Sequence, residues 1–295
     1  MPITKLCFKF LVDKIIKFQS YSGFASRGIF FDMLKRQDEN YALTLHSGRG
    51  LAPYSTSPIM IRENGKTRVI YKLIKPYCLA YVNFTLLDNE LSRLFKELIM
   101  EGISDIKLID KSFPVIGVSI NTVSFKELLE KAKPVKRFTL TFQSPCYLRM
   151  TPKSSLILFP SKRCSSDVKR GYRFYLFPEP ILLFRNLIRL WRRFSDTWFN
   201  YMEFMEWIEA GGVAISGFPK GIRTVRIYEH PTLNKWVVGF IGTVRFNLPE
   251  DVYDRRFASI VDALLRFAKH SNVGGGRTAG LGMIEYKPVD FFNEK

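Results

Sequence analysis

V-G-G-G-R-T-A-G-L-G-M-I-E-Y, Val273–Tyr286, places Gly274, Gly275, Gly276, Gly280 and Gly282 within nine positions, with Arg277 and Thr278 among them. Upstream, Glu250–His270 carries Phe257, Ile260, Val261, Leu264, Leu265 and Ala268 at helical spacing. Downstream, Met283–Tyr286 has the bulky, apolar character of a short strand. The glycines therefore lie between a helix and a strand. Glycine permits positive φ and close approach of another backbone. Amides freed of side chains can line a concavity for phosphate, and a guanidinium within it adds charge. A Walker loop needs Gly-Lys-Ser/Thr ahead of a helix, and a dinucleotide fingerprint follows a strand and opens a helix. The order here is the reverse, so both motifs are excluded.

Working back from this loop, the second half reads as follows. Arg137–Phe142 is a strand, with further strand at Leu156–Phe159 and a basic loop holding Lys162, Arg163, Lys169, Arg170 and Arg173. Pro180–Ala210 is a long or broken helix with Arg185, Arg189, Arg192 and Arg193 on one face. Strands at Val213–Ser216, Gly221–Tyr228 and Trp236–Phe246 precede the helix that enters the glycine loop.

The first half repeats this order. Lys5–Val12 alternates as a strand, and Phe24–Arg36 has helical spacing. Gln37–Pro58 is polar and reads as a loop, and Asn64-Gly65 centres a hairpin between Ile59–Arg62 and Val69–Leu73. Tyr77–Leu87 is a strand, Leu91–Ile99 a helix closed near Gly102, and Ile103–Ile109 and Val115–Ile120 are strands. The expected class is α+β: two tandem ferredoxin-like (βαββαβ) domains, RRM-like in element order, over residues 1–132 and 135–295. A short helix at Ser124–Ala132 would be the connector.

The 295 residues include 45 basic and 27 acidic side chains, a net charge of +18, in a chain that is 15% aromatic. That balance in a folded chain points to a polyanionic partner. No apolar run reaches the ~18 residues of a membrane span. Cys7, Cys78, Cys146 and Cys164 lie far apart without zinc spacing, so no metal or other cofactor is expected. Reduced cysteines and an N-terminus that runs straight into a strand fit a cytoplasmic protein.

There are three histidines. His230 sits in a turn signal, and His270 ends a helix, where a positive charge suits the dipole. His46 lies in Leu45-His46-Ser47-Gly48-Arg49-Gly50, a basic segment where an imidazole can move a proton near neutral pH.

Two motifs now carry a resemblance. The helix–loop–strand order with Gly274, Gly280 and Gly282 resembles the glycine-rich loop of the RAMP superfamily of CRISPR-associated RNA-binding proteins. Leu45-His46, followed by Pro53-Tyr54-Ser55-Thr56-Ser57, is similar to a hallmark of one RAMP branch, the repeat-RNA endoribonucleases of the sixth Cas family. Phe142-Gln143-Ser144-Pro145, Leu158-Phe159-Pro160 and Trp191-Arg192-Arg193-Phe194 extend the likeness through the second half.

The resemblance implies metal-independent cleavage within the CRISPR repeat by attack of the 2′-hydroxyl. His46 would transfer a proton and Arg49 would stabilise the phosphate. Arg163, Lys169, Arg170, Gly274, Gly275, Gly276, Arg277, Thr278, Gly280 and Gly282 would bind RNA. The implied partner is CRISPR repeat RNA, with an interference complex and a second copy of the chain beyond it. A non-catalytic RAMP subunit that binds guide RNA is the alternative. The sequence departs from the branch at two places: the lysine six residues past the histidine is Ala52 here, and the tyrosine of the first helix falls near Phe31.

Overall fold

The computed structural model describes residues 2–48, 50–63, 65–150, 173–229 and 236–291. In chain order the elements begin with β1 (Pro2–Val12), β2 (Ile16–Lys17), α1 (Ser22–Gln37), α2 (Glu39–Ser47), β3 (Tyr54–Thr56), β4 (Met60–Glu63), β5 (Lys66–Val69) and β6 (Leu73–Ile74). Next come β7 (Cys78–Leu86), α3 (Asn89–Glu101), β8 (Asp105–Leu108), β9 (Lys111–Ser124) and α4 (Phe125–Glu130). The second half contains β10 (Val135–Cys146), β11 (Leu148–Met150), β12 (Arg173–Tyr175), α5 (Pro180–Phe194) and α6 (Tyr201–Trp207). It closes with β13 (Ala214–Gly217), β14 (Ile222–Glu229), β15 (Trp236–Asn247), α7 (Arg255–Ser271) and β16 (Ile284–Phe291).

The alternating apolar residues of β1 put Leu6, Phe8, Phe10 and Val12 on one buried face. Backbone pairing on both sides makes β1 the centre of an antiparallel seven-stranded sheet ordered β5-β4-β7-β1-β9-β8, with β3 also on β7. The second sheet has five strands, ordered β13-β15-β10-β16 with β14 also on β15. Both sheets share one wiring. The first strand lies between the last and the third, as β1 does between β9 and β7 and β10 does between β16 and β15. Two ferredoxin-like units in tandem follow from that wiring.

Helices α1 and α3 cover the first sheet through a core of aromatic rings, where Phe30 stacks on Tyr54 at 3.9 Å between centroids. Helices α5 and α7 cover the second. There Trp191 packs edge-on against both Phe125 and Phe267. Phe125 belongs to α4, and with Ile3 and Leu87 it buries first-half residues in the second core. The two halves therefore share apolar interior as well as a peptide link.

The expected loop over Gln37–Pro58 is corrected: α2 occupies Glu39–Ser47. Asp38 caps it, accepting the Tyr41 N–H at 2.8 Å, while Ala42 is buried. The long second-half helix is broken. Glu179 caps α5 by accepting from the Ile181 and Leu182 amides, and α5 ends at Phe194, where Ser195 Oγ accepts the Thr197 N–H. The helix entering the glycine loop starts at Arg255, under an Asp254 cap, after a 3-10 turn over Glu250–Val252. The Leu156–Phe159 strand and His230 lie outside the described residues.

Asp262 of α7 is fully buried and accepts from the Tyr286 hydroxyl (2.6 Å), Arg266 Nε (2.8 Å) and the Lys133 amide (2.9 Å). Removing one member of such a network strands its partners without hydrogen bonds. Asp262→Ala is expected to lower unfolding stability by about 3 kcal/mol in urea denaturation, and Tyr286→Phe by about 1 kcal/mol. Equal, negligible losses would show that the network contributes nothing.

Candidate functional site

His46 stands in the last turn of α2, exposed to solvent. Its ring meets the buried Phe31 of α1 edge-on, 5.0 Å between centroids. The Arg27 guanidinium, one turn back along α1, lies 5.6 Å from the Phe31 centroid. Tyr54 meets Phe31 edge-on at 6.0 Å, and its hydroxyl lies near the Arg27 and Thr278 side chains. Burial raises the Tyr54 phenol pKa, opposed by Arg27 and Thr278, so the group stays protonated. A continuous line of contacts thus joins His46 to the glycine loop.

That loop is clamped between the two units. Ser55 Oγ donates to the His270 carbonyl (2.8 Å), and Thr56 Oγ1 donates to the Thr278 carbonyl (3.1 Å). In return, Asn272 Nδ2 donates to the Thr56 carbonyl at 2.8 Å. Arg277 is only 6% exposed, and its guanidinium donates to the Ser271 carbonyl (2.9 Å) and the Ala52 carbonyl (3.0 Å). Burial, then the nearby Arg189, pull its pKa down to about 10, which leaves it cationic at neutral pH.

Two glycines are required by this packing. Gly280 adopts φ +69, and a Cβ there would lie 2.6 Å from the Pro58 nitrogen. Gly282 adopts φ +70 with the Val273 carbonyl against it. The expected phosphate cradle is corrected in part. The amides of Gly274, Gly275 and Gly282 already donate to Asn186 Oδ1, the Tyr147 carbonyl and the Pro145 carbonyl, each within 2.9 Å. Close packing, more than free amides, explains the glycines.

Beside the loop lies a cavity of about 430 Å³. Gly274, Gly275, Gly276, Arg277 and Thr278 form one wall, Arg185, Asn186 and Arg189 of α5 another, and Gly50, Leu51 and Ala52 the edge toward His46. Among the described residues, Arg149 completes a lining that carries four arginines and no carboxylate. Such a cavity suits a phosphate group.

The structure thus brings His46 within one contact line of the glycine loop. It buries Arg277 and places Gly280 and Gly282 in packing roles. Arg49, Arg163, Lys169 and Arg170 lie outside the described residues. Tyr41 is turned to other work, its hydroxyl donating to Asp88 Oδ1 at 3.4 Å, with burial and that carboxylate pushing its pKa up to about 12. Arg27 and Tyr54 are site residues that sequence reasoning left without a role. The signal was Arg27 one helical turn before Phe31, legible only once α1 is placed against α2. Among the described residues no group of three or more His, Cys, Asp or Glu could hold a metal ion, and no helix is long and apolar enough to cross a membrane.

Two ferredoxin-like units with a glycine-rich loop locked between them form a fold of the RAMP class. Within that class, the sequence model of one family, the CRISPR-associated endoribonuclease Cas6, matches residues 140–284. That match covers just under half of the chain. Its fold is similar to a solved Cas6 product complex at 19% identity, covering 97% of this chain and 99% of that one, TM-score 0.72. It is likewise similar to a Cas6 from Thermus thermophilus at 19% identity, covering 97% and 98%, TM-score 0.67. A RAMP protein described as binding different RNA substrates shares the fold at 14% identity, covering 96% and 99%, TM-score 0.55. No curated protein matches the chain by sequence.

Gly280→Ala is expected to cost at least about 2 kcal/mol, because a left-handed residue is forced against a fixed backbone. Calorimetry showing an unchanged Tm would refute the packing role. His270 gives a pH prediction. Burial, then Lys5 and Lys269, hold its imidazole pKa down at about 4, against 6.5 when free. The unfolded chain therefore takes up this proton first as the pH falls. Its contribution to stability is intact above pH 6.5 and is lost progressively toward pH 4. Urea midpoints measured across that range should fall less steeply for His270→Gln than for the parent.

Proposed function

We propose that the chain is a metal-independent endoribonuclease that cleaves CRISPR precursor RNA within the repeat to give guide RNAs. The observation that supports this reading most is the exposed His46 imidazole, braced by Phe31 and linked through Tyr54 and Thr278 to an arginine-lined cavity.

RNA supplies its own nucleophile. As the O2′–P bond forms, a base removes the 2′-hydroxyl proton. As the P–O5′ bond breaks, an acid protonates the leaving oxygen. The products are a 2′,3′-cyclic phosphate (or the 3′-phosphate that follows from it) and a 5′-hydroxyl. His46 performs one of the two proton transfers. Arg49, three residues on, and the cavity arginines stabilise the charge that builds on the phosphorane. The residue past His46 that the branch fills with lysine is Ala52 here, and its carbonyl accepts from Arg277, so Arg277 brings a cation to that place in the fold.

In this reading residues 1–132 carry the proton-transfer site and 135–295 the glycine loop. The basic segment Arg163–Arg170 adds RNA contacts. The product passes to a CRISPR interference complex in the cytoplasm, and the enzyme works alone or as a homodimer.

The test is cleavage of a labelled repeat RNA in EDTA by the parent and His46→Ala, beside an RNA carrying 2′-deoxyribose at the cut. One cut in EDTA, abolished by the deoxy sugar and slowed roughly 10²–10⁴-fold by His46→Ala, is expected. Tight binding without a cut would favour the guide-RNA-binding subunit. Cleavage indifferent to His46→Ala would remove that residue from the chemistry.

A further inference from the structure

The arginine-lined cavity opens into a second one of about 580 Å³ that shares Leu51, Arg185 and Arg189 with it. Together they make a continuous groove, from the segment after His46 along the outer face of α5 to the start of α6. The sequence of α5 dictates that face. Leu183, Leu187, Leu190, Trp191 and Phe194 are buried in the second core, which leaves Arg185, Arg189 and Arg192 on the open side at intervals of four and three residues. Arg185 pairs with Glu209 at 3.0 Å, whereas Arg189 has no carboxylate partner among the described residues.

The far end of the groove is aromatic. The Arg192 guanidinium lies 5.4 Å from the Tyr201 ring, and Tyr201 meets Trp198 edge-on at 6.2 Å. Trp198 is 75% exposed and Met202 is 77% exposed. An indole held so open presents a free ring face that a flat group can cover. Guanidinium groups suit phosphodiesters, and rings with free faces suit unpaired bases of any sequence. A strand that passes His46 must also leave the site, and the groove starts at Leu51, where the site ends.

We propose that this groove is the track for single-stranded RNA running on from the cut bond, with Arg189 and Arg192 holding its phosphates and Trp198 stacking on an unpaired base. The proposal rests on the endoribonuclease reading for its direction, and its test separates the two.

The probe is the uncleavable repeat RNA with 2′-deoxyribose at the cut, in full length and truncated to the cut on either side. Binding is followed by fluorescence anisotropy and by tryptophan emission. For the full-length RNA, Trp198→Ala and Arg189→Gln should each weaken binding roughly tenfold. Arg189→Gln should also reduce the slope of log affinity against log salt by about 0.7. For one of the truncated RNAs, and only one, both losses should vanish, because that RNA lacks the strand in the track. Emission of the parent should be quenched by RNA, and most of that change should be missing in Trp198→Ala. Variants that bind all three RNAs as the parent does, or that lose affinity equally for all three, would overturn the track. Circular dichroism melting shows whether each variant is folded. Cleavage of all-ribose RNA by the parent tests the endoribonuclease reading separately: a cut without a track effect sinks this inference alone, and a track effect without a cut sinks only the nuclease.

Discussion

Two short segments, Ala52–Pro58 and His270–Gly280, hold each other across the boundary between the ferredoxin-like units, and the site exists because they do. Ser55, Thr56 and Asn272 exchange side-chain hydrogen bonds with the opposite backbone, and the Arg277 guanidinium spans from Ser271 to Ala52. Each bond contributes about 1 kcal/mol net, while a guanidinium without these carbonyls would be left desolvated and unpartnered. The approach depends on the absence of a side chain at Gly280 and at Gly23, against whose Cα the Ala279 carbonyl rests. Separate the units, and the cavity loses the wall that carries Gly50, Leu51 and Ala52.

This closeness has an electrostatic cost that an anion would offset. Arg189 is held below its ordinary pKa first by burial and then by Arg149, and Arg277 by burial and then by Arg189. These arginines therefore repel one another in a site of reduced dielectric, within a chain of net charge +18. A phosphate entering the cavity relieves that repulsion, so the same arrangement that weakens the free fold favours the bound state. Salt would screen the same repulsion and so reduce this gain.

The fold was legible wherever one periodicity dominated. The alternation of β1, the spacing of Leu91, Leu94, Phe95 and Leu98 in α3, and the Gly65 turn (φ +73) all point to structures that formed. Where the signal was weak, the reading failed for a physical reason. Helix α2 has one buried residue, Ala42, and reveals itself only through the Asp38 cap, so its polar run passed for a loop. The glycines were visible, but what they approach was not. Their neighbours Pro58, Tyr147 and Pro145 lie more than a hundred residues away in the chain, and no local pattern reports such a contact. The same distance hid Arg27 and Tyr54, whose meaning depends on Thr278.

The correction to α2 bears on the chemistry as well as on the fold. A histidine in a free loop samples many positions, and each proton transfer must wait for the right one. In α2 the backbone of His46 is fixed by the helix ladder, Phe31 limits the ring on one side, and the other side stays open to solvent and substrate. Phe31, at the place in the first helix where the sequence departs from the branch's tyrosine, is thus used here for packing: an apolar ring cannot exchange a proton, but it can hold an imidazole. The entropy of orienting that group is then spent during folding, which leaves the imidazole pre-positioned.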